Sequence, residues 1–341
     1  MLSNTYLAAV PILLSISTTV VAWGSMGHQT VASVALQYLQ PAAQDAVNQI
    51  LTADPEGKEN PDMMSVSTWA DEYREKSGGH YTAPYHFIDA VDNPPRSCGV
   101  NFRRDCTAAG CVVSAIGNYT NRIQDSSMDP IYTAQALKFL IHFVADATQP
   151  LHDESKARGG NEISVKWNGR TAKLHHVWDT EMVEALAGSD TADNVAKWTD
   201  TIVTAVNPGG QYADSVAGWI SCITPSMIGS VSATQSCATE WASDGNSYIC
   251  SYVLNPDPSH KETDGAYFDG AAPIIQEQIA KVRVLHGSDS SDGMPIELFI
   301  THQQQGGVRL AALLNVIFTG STGFDSGVAF GARFNIQTSQ V

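Results

Sequence analysis

The chain has 341 residues, with 35 Asp and Glu against 19 Lys and Arg, a formal net charge of −16 and 43% hydrophobic residues. That length buries a substantial core, while so acidic a balance excludes sequence-independent duplex binding through Lys and Arg unless bound cations supply the positive charge. Beyond the first 22 residues no stretch is long and apolar enough to span a membrane.

Residues 1–22 read as a secretory signal: the apolar stretch AAVPILLSISTTVV ends in small Ala22 just before Trp23. Its start lacks Lys or Arg, which leaves a membrane anchor as the alternative. From Trp23 to Gln40 the pattern predicts a helix, with Val31, Val34, Ala35 and Tyr38 on its apolar face and His28 near its start. Pro41 opens the next helix. The loop DPEGKENPD leads into MMSVSTWADEYREK, where Asp71 and Arg74 lie three apart on one helical face, which is also the spacing of an ordinary surface ion pair. APYHFIDAVDNPP reads as extended because of its prolines, with His86 and Ile88 facing opposite to Phe87 and Asp89.

Helices are expected over 112–123 and 130–147, and ISVKWNGRTAKL (163–174) reads as a hairpin about Asn168-Gly169, the one clear β signal. Helices dominate again from 173 to about 254 and from about 271. The fold class is therefore mainly α with a small β-hairpin. No linker rich in Pro, Gly or Ser divides the first 280 residues, so a single domain over 23–318 is expected, with a flexible Gly/Ser/Thr-rich tail over 319–341. The six cysteines fit an oxidising compartment with fifteen pairings open, and Asn118-Tyr119-Thr120 is the only glycosylation sequon.

The chemistry concentrates in LKFLIHFVADATQPLHD, 137–153. Leu137, Leu140, Ile141, Val144 and Ala145 recur at helical spacing, so this helix belongs in the core, where ionisable groups are costly unless paired or metal-bound. His142 and Asp146 are four apart and share a face, and Pro150 turns the chain so that His152 comes back towards the same spot. A second pair, His175 and Asp179, follows in LHHVWDTEM. Two His-x-x-x-Asp pairs suit zinc by ligand type; the plainer reading of each is a helix salt bridge.

Taken with WGSMGHQTVA, WADEYR, HFIDAVDNPP, FLIHFVADATQPLHDE, GGN and LHHVWDT, in that order and spacing, the chain resembles the secreted fungal single-strand-specific zinc nucleases of the S1 and P1 type, related in fold to bacterial zinc phospholipase C. The resemblance covers roughly 23–281 and resumes near 306. It implies three zinc ions. One is held by Asp71, His86, His142 and Asp146. A second is held by the free amine and carbonyl of Trp23 with His28 and a shared Asp146, and a third by His152, His175 and Asp179. It also implies catalytic roles for Asp71, Asp146 and Arg74, the last neutralising charge on the phosphoryl oxygens; the plain alternative for Arg74 is pairing with Asp71 or Glu75.

Phe87 resembles the family's base-stacking platform and Asp89 its base-edge acceptor, with Asn161 of GGN completing the substrate contacts. Arg158 stands where the P1 pattern has a valine, adding a guanidinium that stacks on a base and a charge near the phosphates. The implied activity is hydrolysis of single-stranded DNA and RNA to 5′-phosphate products, with 3′-nucleotidase activity, by a secreted monomer with no stable protein partner and no membrane association. A phospholipase C on the same scaffold and a non-catalytic zinc-binding protein are the alternatives. Family bridges would join Cys98 to Cys250 and Cys106 to Cys111, leaving Cys222 and Cys237 as an extra pair. Asn118 would carry a glycan. Residues 282–305 interrupt the family pattern and read either as a translated intron or as a surface loop.

Overall fold

The structure is a computed structural model that describes residues 23–55, 61–280 and 306–324. The expected signal over 1–22, residues 282–305 and the expected tail beyond Phe324 lie outside the described residues.

The molecule is built on the helix Pro130–Asp146. Asp129 caps it by accepting from the Ile131 amide, and Pro130 sits at its first turn, where no amide proton is needed. Every residue from Ala136 to Asp146 is buried, because the helices Val112–Ile123, Pro41–Leu51, Trp69–Glu75 and Gly306–Thr319 pack around it. Rings of Trp69, Tyr119, Phe139 and Phe143 interlock along one side. Even Lys138 is fully buried, its ammonium donating to Asp54 at 2.6 and 3.0 Å and lying 4.8 Å over the Trp69 ring. A helix enclosed on all sides delivers His142 and Asp146 into the interior.

The N-terminal helix Ser25–Tyr38 crosses beside it and against Gly306–Thr319. Gly307 permits that approach, since a Cβ there would meet Val34 at 2.7 Å. Asn315 ties the ends together, accepting from the Gln40 amide and donating to the Tyr38 carbonyl. The segment after the insertion therefore belongs to the core. Arg309 on it is fully buried, with its guanidinium 5.0 Å over Trp241 and its Nε donating to the Trp219 carbonyl.

Two strands, Ser164–Trp167 and Arg170–Lys173, form the only sheet among the described residues, antiparallel with Ser164 opposite Lys173 and Trp167 opposite Arg170. Asn168 and Gly169 turn the chain at φ 48° and 72°, the left-handed pair that a two-residue hairpin needs. Disulfides join Cys98 to Cys250, Cys106 to Cys111 and Cys222 to Cys237.

Three local readings are corrected. Ala83–His86 are not extended but end a 3₁₀ helix, His80–His86, because Pro84 with its fixed φ suits a 3₁₀ turn as well as a strand. MMSVSTWADEYREK is not one helix: Met63–Val66, closed by a reciprocal Asp62/Ser65 cap, and Trp69–Glu75 are separated by Ser67 and Thr68. Residues 320–324, expected to belong to the flexible tail, are held against the helices. Gln40 and Asn315 donate to the Ser321 and Thr322 carbonyls, and the Phe324 ring lies 5.5 Å from that of Tyr38.

Candidate metal centre

Three groups of imidazoles and carboxylates converge in the interior: His28, His142 and Asp146; Asp71, His86 and His142; and His152, His175 and Asp179, with the donor atoms of each group within 4.8 Å of one another. The first two share His142, and Asp146 faces both. Its Oδ1 lies 3.3 Å from His28 Nε2, while its Oδ2 lies 3.1 Å from His86 Nδ1 and 3.3 Å from His142 Nε2. His28 stacks on His142 with ring centres 3.8 Å apart. Asp71 approaches from the Trp69–Glu75 helix, 3.6 Å from His86 and 3.7 Å from His142.

The chain beyond Asp146 carries His152 not back to His142 but into the third group. A 3₁₀ turn over Pro150–Asp153 sets its ring 4.9 Å from that of His175, with Nε2 4.0 Å from Asp179. His175 and Asp179 meet at 3.2 Å across a π-turn, Val177–Glu181. A further trio, Asp92, Cys98 and Glu154, lies close together, but the Cys98 sulfur is committed to Cys250.

Backbone carbonyls fix the imidazoles. His142 Nδ1 donates to Ser67 at 2.7 Å, His152 Nδ1 to His86 at 2.7 Å and His175 Nδ1 to Gly159 at 2.5 Å. With Nδ1 carrying the proton, each imidazole in its neutral form turns an Nε2 lone pair inward, the orientation that metal-bound imidazoles adopt. The Ser67 carbonyl is available because the helix breaks there. Gln149, fully buried, orients Asp179 by donating to its Oδ1 at 2.5 Å.

These residues fit a metal cation. At 3.2 Å, the lone pairs of His175 Nε2 and an ionised Asp179 confront each other, and only a proton or a cation makes that contact favourable. The imidazole does not carry that proton, since burial and then the neighbouring His152 lower the His175 pKa to about 3. Burial and then His142 lower His28 to about 4, and burial depresses His86 and His152. Burial also opposes charge on His142, but the Asp146 and Asp71 carboxylates outweigh it and lift its pKa to about 9, so positive charge belongs at the centre of this group. Burial pushes Asp179 well above the carboxylate range, so without a cation the shared proton stays on this carboxyl, and a bound cation would take its place.

Trp23 is buried next to these groups, its indole donating to Thr148 at 3.1 Å, and the neighbouring Gly24 amide donates to the Asp179 carbonyl at 2.7 Å. Arg74 reaches Asp71 at 3.0 Å and Glu75 at 3.4 Å. It lines a cavity of about 250 Å³ together with His86, Phe87, Asp89, His152, Arg158, Asn161 and His175, so the candidate substrate contacts and the imidazoles share one space. A second cavity of about 970 Å³ runs along the hairpin and meets the first at Asn161 and His175. Asn118 is exposed on the Val112–Ile123 helix. Sequence reasoning missed Ser67, Gly159 and Gln149. The first two act through carbonyls that carry no residue signal, and only a buried glutamine ahead of Pro150 left a trace.

The S1/P1 Nuclease family model matches residues 23–284. Nuclease P1 of Penicillium citrinum is 39% identical over 278 residues, covering 78% of this chain and 99% of that protein. Nuclease S1 of Aspergillus oryzae is 39% identical over 282 residues, 80% of this chain and 94% of its own length. Endonuclease 2 of Arabidopsis thaliana is 30% identical over 309 residues, 87% of this chain and 90% of that protein.

Proposed function

Because the chain belongs to the S1/P1 nuclease family, we propose that it is a secreted zinc-dependent nuclease that cleaves single-stranded DNA and RNA, leaves 5′-phosphates and removes 3′-phosphates from nucleotides. The observation that carries this reading is the set of three donor groups, with inward imidazole nitrogens held by main-chain carbonyls, beside a cavity containing an exposed aromatic ring. In this reading His28 and Asp146, with the amine and carbonyl of Trp23, hold one zinc. Asp71, His86, His142 and Asp146 hold another, and His152, His175 and Asp179 a third. Bound zinc supplies Lewis acidity, lowering the pKa of a water and offsetting charge on the departing oxygen.

The chain's own residues do the rest. Phe87 offers its face to an unpaired base, which a duplex does not present, and Asp89 accepts from that base's edge. Arg74, steered by Asp71 and Glu75, presents a planar donor to the phosphoryl oxygens in the same cavity. Asn161, whose amide donates to the Arg158 carbonyl at 2.8 Å, lines the same cavity. Three disulfides support an oxidising destination, and among the described residues no helix is long and apolar enough to cross a membrane.

The test is protein beginning at Trp23, assayed on single-stranded DNA, RNA, 3′-AMP and phosphatidylcholine with and without chelator. Chelator-sensitive turnover of the first three is expected. Hydrolysis of phosphatidylcholine alone would make it a phospholipase C, and turnover of none would leave a zinc-binding protein.

A further inference from the structure

Resting on the nuclease reading, we propose that Asp89 and Arg158 together read the base stacked on Phe87 and select guanine. Phe87 is a large apolar side chain left 37% exposed, and its ring lines the 250 Å³ cavity with Asp89, Ser155, Arg158 and Asn161. The extended backbone at Phe87 alternates, so that His86 and Ile88 are buried while Phe87 and Asp89 face the cavity. Asp89 is half-buried. Burial raises its pKa and the positive charge of Arg158 pulls it back down, which places the guanidinium within electrostatic reach of the carboxylate.

Arg158 is held by an unusual piece of backbone. Ala157, Arg158, Gly159 and Gly160 all adopt positive φ, at 52°, 53°, 59° and 76°. Two of them carry side chains that disfavour that region, and such a conformation persists only where the surroundings over-determine it. Here they do. The Arg158 amide donates to Ser155 at 3.0 Å, Gly160 to Lys156 at 3.1 Å and Glu162 to Ala157 at 3.0 Å, and the Gly159 carbonyl holds His175. The turn that positions His175 thus also fixes the backbone from which the Arg158 side chain lines the cavity.

A carboxylate presents two acceptors and a guanidinium two parallel donors. Guanine alone offers paired donors, N1–H and N2–H₂, beside paired acceptors, O6 and N7, on adjoining edges. It satisfies Asp89 and Arg158 at once, in the adjacent positions that a shared cavity demands. Adenine offers the carboxylate one donor group and turns the N1 lone pair towards its second oxygen. Uracil and thymine offer a single N–H, and cytosine a single amino group. Every base still stacks on Phe87, so the effect is a preference among substrates rather than a restriction to one.

The test separates recognition from chemistry. Binding of 5′-GMP and 5′-AMP to zinc-loaded protein is measured by calorimetry, and kcat/KM is measured for 3′-GMP and 3′-AMP. The guanine ligand is expected to win by about 10-fold in both, the discrimination that a bidentate pair typically gives. Arg158→Gly keeps the left-handed turn unstrained, and Arg158→Lys keeps the charge but loses the fork. In both the guanine-to-adenine ratio should fall to the smaller part that Asp89 supplies alone, with zinc content unchanged. Equal binding of the two nucleotides by the wild type, or a preference undiminished in Arg158→Gly, overturns the proposal. Preferential 5′-GMP binding by a protein that hydrolyses neither 3′-nucleotides nor single strands supports base selection and overturns the nuclease reading alone.

Discussion

Asp146→Asn isolates the hinge of the metal centre. The substitution keeps the volume of a fully buried side chain and removes its charge. The carboxylate presents Oδ1 to His28 and Oδ2 to His86 and His142, so each oxygen serves a different group. An amide has one oxygen with lone pairs to give. Without the Asp146 charge that lifts the His142 pKa the ring is neutral; its Nδ1 proton stays on the Ser67 carbonyl, its Nε2 accepts, and the amide nitrogen turns towards it. The Asp71–His86–His142 group then loses a ligand, while the amide oxygen stays on the His28 side. Removing the charged partner of a buried cation costs about 3–5 kcal/mol, roughly a hundred- to several-thousand-fold weaker cation binding on the Oδ2 side. Folding should survive, since the amide still donates to an imidazole. The expected result is a folded protein by circular dichroism with about one zinc fewer per chain and turnover on single-stranded DNA down by roughly a thousand-fold. A fully zinc-loaded variant with near-normal turnover would refute the shared-ligand argument.

Four further outcomes are expected. Phe87→Ala should lower kcat/KM on single strands by about 10-fold at unchanged zinc content, because stacking contributes about 1–3 kcal/mol per base and the ring touches no ligand; unchanged Michaelis parameters would remove Phe87 from the site. An extra Met before Trp23 should bring zinc towards two per chain and strongly reduce hydrolysis, since an amide nitrogen offers no lone pair; three zincs and full activity in the extended form would show that Trp23 only packs. Gln149→Met should weaken cation binding at Asp179 by about 10–100-fold, the usual cost of losing a group that orients a ligand, read by chelator competition, and an unchanged affinity would make the Gln149 contact incidental. Deleting 282–305 should leave secretion and folding intact, since the family pattern runs directly from QEQIAK to GGVRLAALLN; loss of secreted protein would show that the loop belongs.

Much of the site was legible because its signals are local. The apolar period around His142 and Asp146 fixes a buried helix, and alternation over His86–Asp89 separates the buried imidazole from the exposed ring without reference to any fold. The Asn168-Gly169 turn likewise declares itself. What stayed hidden depends on elements far apart in sequence. That Asp146 faces His28 follows from how the helix Ser25–Tyr38 lies against Pro130–Asp146, and no spacing encodes that crossing. The 3₁₀ turn over His80–His86 was masked because proline suits both candidate conformations. Arg309 sits in an apolar helical run where periodicity gives no warning that its guanidinium is enclosed against Trp241.

Holding His142, His152 and His175 by the carbonyls of Ser67, His86 and Gly159 makes the imidazole geometry a property of chain path rather than of side-chain identity. An alanine scan is blind to it: Ser67→Ala leaves the acceptor where it was. Drift at that position is tolerated for the same reason, whereas Gly159 is constrained because a Cβ at φ 59° would meet the Leu151 carbonyl at 2.5 Å and lever the acceptor away from His175. Engineering this centre for another metal therefore calls for edits to backbone trajectory, such as loop grafts at 67–68 or 157–160, before any exchange of ligands.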